Sequence, residues 1–163
     1  MKFGEAPAET SRLYADGNFQ TADGRARLVC TEWAPFPEQP GGEYPFILNT
    51  GRTVEHWHTR TKTKEVPILE RLSPRAWLEM NPRDAKKLGL RSHDSVDIVS
   101  RRGRVRDVEL RLTEITAPGQ VFMPFHFAET NVNEVTQDAF DPISREPNYK
   151  QCAVNVQRTG ARP

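Results

Sequence analysis

The spacing of apolar residues changes character near residue 44. Before that point neither a two-residue nor a 3.6-residue period persists. Turn signals at Asp16-Gly17, Asp23-Gly24 and Pro40-Gly41-Gly42 interrupt the chain, and Pro35, Pro37 and Pro40 stiffen it into a connector. Residues 25–31 alone read there as a short strand. After Tyr44 strand-like runs follow at close intervals, at 46–48, 76–80, 96–100, 105–112, 120–125 and 152–156. The two runs flanking Arg102-Gly103 read as a hairpin. Pro118-Gly119 turns the chain into residues 120–125, where Pro124 is expected to end regular pairing.

One helix is specified by every local signal. Asn81 supplies the N-cap oxygen, and Pro82 takes the first helical position, where a missing N–H costs nothing. Asp84 in the first turn and Lys86-Lys87 in the last complement the helix dipole. Gly89 suits the left-handed cap, with Leu90 as the apolar contact beyond it. Short strands around one small helix predict a mainly β fold, a barrel rather than a layered α/β sheet. The expected organisation is an irregular N-terminal arm over 1–42, a barrel domain over 43–157 and a loose tail over 158–163. The arm reads as a segment that needs something else to pack against.

Composition narrows the function classes. The 163 residues carry a formal charge of +1, which provides no broad field for nucleic acid or an anionic membrane. The basic run 101–106 reads as a solvated hairpin tip. No apolar stretch reaches the roughly 20 residues that span a bilayer, and no signal-peptide pattern opens the sequence. Cys30 and Cys152 form no CxxC motif, so no zinc or iron–sulfur framework is expected, and two reduced thiols fit a cytoplasmic protein.

The chemistry concentrates in three clusters. The first runs from Asn49 to Thr59 and combines Thr50, Gly51, Arg52, Glu55, His56, Trp57, His58 and Thr59. A strand that feeds a loop so rich in hydrogen-bonding groups suggests a site for a large, polar, phosphate-bearing ligand. Gly51 allows close backbone approach and Arg52 offers a fixed fork to phosphate, although a Gly-Arg turn is also ordinary turn chemistry. His56 and His58 would share a face if the segment were a strand. They read either as a metal pair lacking further ligands, as satisfied histidines flanking a packed Trp57, or as groups bonding a heterocycle or pyrophosphate beside a stacking indole.

The second cluster runs from Phe122 to Phe127. Phe122 and Met123 suit a core, while Phe125, His126 and Phe127 are expected to leave the barrel toward a rim. Asn131 and Asn133 follow, as amides for a heterocycle or as a helix cap. The third cluster comprises residues 141–144 and 148–151, where Lys150 either caps a phosphate or reaches solvent. No serine elbow, Walker loop, GxGxxG or carboxylate pair accompanies them. No catalytic residue and no metal ligand is assigned.

Taken in order, six blocks resemble one family: 50–52 with 55–59; 81–85 with 88–90; 121–126; 133–136; 141–144; and 149–154. They are similar to the C-terminal dinucleotide-binding domain of the molybdopterin oxidoreductases, in particular the assimilatory or periplasmic nitrate reductase branch; a formate dehydrogenase shares the domain. The resemblance implies a six-stranded double-psi β-barrel and a molybdenum bis(molybdopterin guanine dinucleotide) cofactor. It implies that Thr50 to Thr59, Asn133 and Lys150 line that cofactor and that Phe125 faces the substrate channel. The family's iron–sulfur and metal-ligating cysteines are absent, so the remaining domains of a parent catalytic chain become the expected partner, together with an electron donor. The isolated domain is expected to be inactive. A cofactor-free barrel serving as an interaction module is the alternative, and such a module should expose an apolar patch.

Overall fold

Six short strands close on themselves around one apolar interior. The computed structural model describes residues 13–160. The strands are β1 (Phe46–Gly51), β2 (Trp77–Met80), β3 (Ser95–Val99), β4 (Arg104–Leu112), β5 (Gln120–Pro124) and β6 (Gln151–Arg158). They form a closed barrel in the order β1-β5-β2-β4-β3-β6. The pairs β1–β5 and β2–β4 run parallel, and the other four contacts are antiparallel. Closure leaves no free sheet edge, so the short strands need no covering layer.

β1 shows how the sequence fills the interior. Phe46, Leu48 and Thr50 point inward while Ile47, Asn49 and Gly51 are less buried, the two-residue alternation of a half-buried strand. Leu48, Leu78, Met80, Val96, Ile98, Leu110, Val121, Met123, Cys152 and Val154 form one continuous core.

The helix expected after Asn81 is α2 (Pro82–Lys87); the Asn81 side chain accepts from the Arg83 N–H at 3.0 Å. Gly89 has φ +67°, and the Leu90 N–H returns to the Ala85 carbonyl at 2.9 Å. Asp84 does more than complement the dipole. It is buried and accepts from the Gly119 N–H at 2.6 Å and from Lys87 Nζ at 2.9 Å, tying α2 to the turn before β5.

Several expectations are corrected. The strand expected over 25–31 does not form: Leu28 and Val29 are exposed, and no partner ladder satisfies that backbone. The chain divides into two compact units at Pro35/Phe36, so residues 36–42 belong with the barrel. Glu38 is why: its buried carboxylate meets Arg102 Nη2 at 2.8 Å and the Ala153 N–H at 3.1 Å. Arg102 is therefore not a merely solvated tip residue. It grips Glu38 through two nitrogens and donates to the Val135 carbonyl at 3.1 Å. At the other end Arg158 closes β6, pairing with Val96 and reaching Asp94 at 2.8 Å, rather than opening a loose tail. Residues 161–163 of the expected tail and 1–12 of the expected arm lie outside the described residues.

A second short helix, α1 (Pro67–Leu72), was not expected. Pro67 starts it, but none of its residues is buried, so it lacks the one-sided apolar burial that marks most helices.

Candidate functional site

The C-terminal end of β1 lies beside the chain that enters β6, and this juxtaposition organises the site. The Thr50 N–H donates to the Lys150 carbonyl at 3.1 Å, and Thr50 Oγ1 donates to the Tyr149 carbonyl at 2.6 Å. Across β1, the Phe125 N–H reaches the Gly51 carbonyl at 3.1 Å, one step beyond the strand-ending Pro124. Asn131 accepts from the Asn133 N–H at 3.1 Å and so caps the 3-10 turn Val132–Glu134. Of the two amides, Asn131 is consumed as a cap and Asn133 faces a cavity.

That cavity, about 370 Å³, is lined by Thr50, Arg52, His58, Thr59, Phe125, Asn133, Tyr149 and Lys150. Three segments distant in sequence thus meet at one barrel end. Lys150 Nζ sits 5.3 Å from the Phe125 ring centroid, and the His58 ring lies 5.7 Å from the same ring. The lining holds two cations and no carboxylate, and among the described residues neither Arg52 nor Lys150 makes an ion pair. Uncompensated cations beside hydroxyl and amide donors attract a polyanion, and the aromatic walls suit a flat ring. The residues fit the phosphate and pterin portions of a molybdopterin dinucleotide. The cavity holds only part of so large a group, consistent with one wall of a shared site.

The other candidates in the loop are placed elsewhere. His56 is buried: Nε2 donates to the Ser73 carbonyl at 2.8 Å and Nδ1 lies 3.1 Å from Thr63 Oγ1. It is a structural histidine that closes the excursion from residue 54 to 73. His58 adopts φ +46° in a turn, so the two rings do not share a strand face. Trp57, expected either to pack or to stack, is exposed and does not line the cavity. Glu55 is half-buried outside the lining. Gly51 is required by a neighbour: a Cβ there would stand 2.4 Å from the Phe122 ring.

In the second cluster only Phe125 reaches the rim. His126 and Phe127 turn inward, because Phe127 fills the space between Arg60, 4.8 Å from its centroid, and the His56 ring, 5.9 Å away. His126 is 4% exposed with neither ring nitrogen hydrogen-bonded to a protein group. Burial, reinforced by His56 and Arg60, pushes its imidazole down to about 4. Of the block 141–144, Asp141 and Pro142 line a separate cavity of about 420 Å³, which shares Lys150 with the first. The Asp141 carboxylate is already engaged there by the Ile143 and Ser144 N–H groups.

Tyr149, which the third cluster contained without assigning it to the site, stands beside Lys150 in the lining, and its carbonyl accepts from Thr50 Oγ1. One contributor escaped sequence reasoning. Arg60 is buried with φ +63° and holds the loop that presents His58 and Thr59. It donates to Glu70 through Nη2 at 2.6 Å and Nε at 3.2 Å, and to Glu129 at 2.9 Å. A fork this firmly bonded holds two left-handed non-glycine residues within three positions, a cost of the kind found at binding loops.

Comparison with known proteins agrees with this geometry. The family model described as the molydopterin (molybdopterin) dinucleotide binding domain matches residues 46–153. Among solved structures, acetylene hydratase from Pelobacter acetylenicus superposes with a TM-score of 0.62 at 21% identity, a likeness of fold. The match covers 71% of this chain and 18% of that one, so the present chain spans a small fraction of its structural relative. With the family model covering most of the barrel and the cation-lined cavity at its end, the chain belongs to the molybdopterin dinucleotide binding domain family.

Proposed function

We propose that the chain is the C-terminal cofactor-binding domain of a molybdenum oxidoreductase that reduces nitrate to nitrite. It clamps one side of a bis(molybdopterin guanine dinucleotide). The observation that carries this reading is the cavity with Arg52 and Lys150 in its lining and no carboxylate. Arg52 and Lys150 hold phosphate oxygens, Asn133 and His58 bond a pterin edge, and Phe125 walls the approach of substrate. The choice of nitrate is supported by the resemblance of residues 50–59, 121–126 and 149–154 to that branch. On this reading the iron–sulfur cluster and the metal ligand belong to other parts of a parent polypeptide, and the enzyme is cytoplasmic. The domain positions cofactor and substrate and makes no bond itself.

An NMR titration with guanosine diphosphate tests the cavity. Shifts should centre on Arg52, Asn133 and Lys150, with millimolar affinity at best, because a half-site bears the full ordering cost. Replacing Arg52 or Lys150 with alanine should weaken binding by roughly tenfold or more, the worth of a charge-assisted hydrogen bond. Shifts elsewhere, or none at high concentration, refute the cavity assignment. The parent enzyme assayed with nitrate and with formate decides between those two substrates.

One observation favours a second reading, a cofactor-free interaction module: Val54, Trp57, Ile68 and Leu72 are exposed apolar side chains next in sequence to the cavity loop.

A further inference from the structure

The excursion from residue 54 to 73 is built inside out. Its buried side chains are polar: His56, Arg60 and Ser73. Its apolar ones face outward, with Val54 95%, Trp57 72%, Ile68 59% and Leu72 66% exposed. α1 buries none of its residues, and Ile68 and Leu72, four apart, form an apolar stripe on it. The excursion is nonetheless firmly held, by His56 on Ser73 and Arg60 on Glu70, so the arrangement is not that of a loosely attached loop. Large apolar side chains held outward on a pinned scaffold mark a surface that another protein covers.

We infer that this outward face of the 54–73 excursion docks the remainder of the molybdoenzyme polypeptide, through a surface that is apolar at its centre and acidic at its rim. The inference rests on the function proposed above. Two observations select this occupant. With the Arg60–Glu70 pair set aside and Arg52 assigned to the cavity, residues 53–75 keep four exposed basic side chains, Lys62, Lys64, Arg71 and Arg75, against two acidic ones, Glu55 and Glu65, in a chain whose net charge is only +1. An acidic rim therefore complements the face, and a second copy of the same basic segment repels it. In addition, the excursion supplies His58 and Thr59 to the cavity wall, so whatever completes the far side of the cofactor site lies against the same loop.

Hydroxyl-radical footprinting compares the 163-residue chain with the parent enzyme purified from its source. Trp57 and Leu72 should label strongly in the chain and lose labelling in the enzyme, while Ile115, exposed on another loop, stays labelled in both. The double variant Ile68→Asp, Leu72→Asp should keep the circular dichroism of the isolated chain and, carried in the parent enzyme, restore the labelling of Trp57. Trp57 still labelled in the enzyme overturns the inference. Trp57 already protected in the isolated chain assigns the face to a second copy, or to the chain's own N-terminal unit, and overturns it too. The guanosine diphosphate titration is read at Arg52 and Lys150, away from Trp57. Failure there with Trp57 protected in the enzyme removes the cofactor reading and leaves the docking face standing.

Discussion

Replacing Arg60 with alanine should be the most damaging single change in the cavity loop. Three interactions disappear together. The two-pronged contact with Glu70 contributes most; because the Glu70 side chain is 32% exposed and rehydrates in part, about 1.5 kcal/mol is expected. Glu129 is 70% exposed, so its pair adds less than about 0.5 kcal/mol. The stacking of the guanidinium on Phe127 at 4.8 Å adds about 0.5–1 kcal/mol. The expected total is about 2–3 kcal/mol. Alanine retains the left-handed backbone penalty, so no relief at φ +63° masks the loss. Arg60→Lys keeps one charged contact and should lose about half as much. Urea unfolding followed by tryptophan fluorescence measures both variants. Arg60 also holds the Glu70 carboxyl below its ordinary value of 4.5. That stabilisation is full above the unfolded value and fades as pH falls through the lower folded one, so the gap between wild type and Arg60→Ala should narrow in acid. An alanine variant within about 0.5 kcal/mol of wild type at neutral pH refutes the assignment of Arg60 as the loop's anchor.

Other outcomes follow from buried groups. His126 stays neutral in the fold down to about 4, whereas an unfolded imidazole protonates near 6.5. Stability should therefore fall as pH drops from 6.5 toward 4, by at most about 1.4 kcal/mol per pH unit, and His126→Leu should flatten that slope in denaturation series. Burial pushes the Cys152 thiol up to about 11, so at pH 8 a thiol reagent should titrate exposed Cys30 alone until urea is added. Gly103→Ala places a Cβ 2.6 Å from the Glu134 carbonyl oxygen, a backbone atom that cannot swing aside. A loss of about 1–3 kcal/mol in chemical denaturation is expected, and an unchanged midpoint contradicts that contact.

What the sequence made legible was local. α2 could be read because cap, proline, charges and glycine all lie within ten residues and agree. The strands could be read from alternation, and the barrel from their brevity, although the parallel pairings β1–β5 and β2–β4 left no mark in the order of the letters. In the site, cation and amide chemistry pointed to Arg52, Asn133 and Lys150, which the fold gathers around one cavity. The inside-out excursion defeated reading by residue type: hydropathy places Trp57 inside and His56 at a ligand, and the structure does the reverse. Glu38 was invisible because its partner is non-local, and Arg60 because its fork joins Glu70, across the excursion, to the distant Glu129. Glu129 lies 69 positions from Arg60, and Arg102 lies 64 from Glu38.

Thr50 is bonded to residues 149 and 150, and β6 is the stave that lies between β1 and β3. During synthesis the early wall of the pocket therefore waits for nearly the whole chain to emerge before its opposite wall arrives. If the cavity holds the dinucleotide as proposed, a nascent chain lacking β6 offers it only one wall, and loading of the cofactor is expected to follow translation of this region.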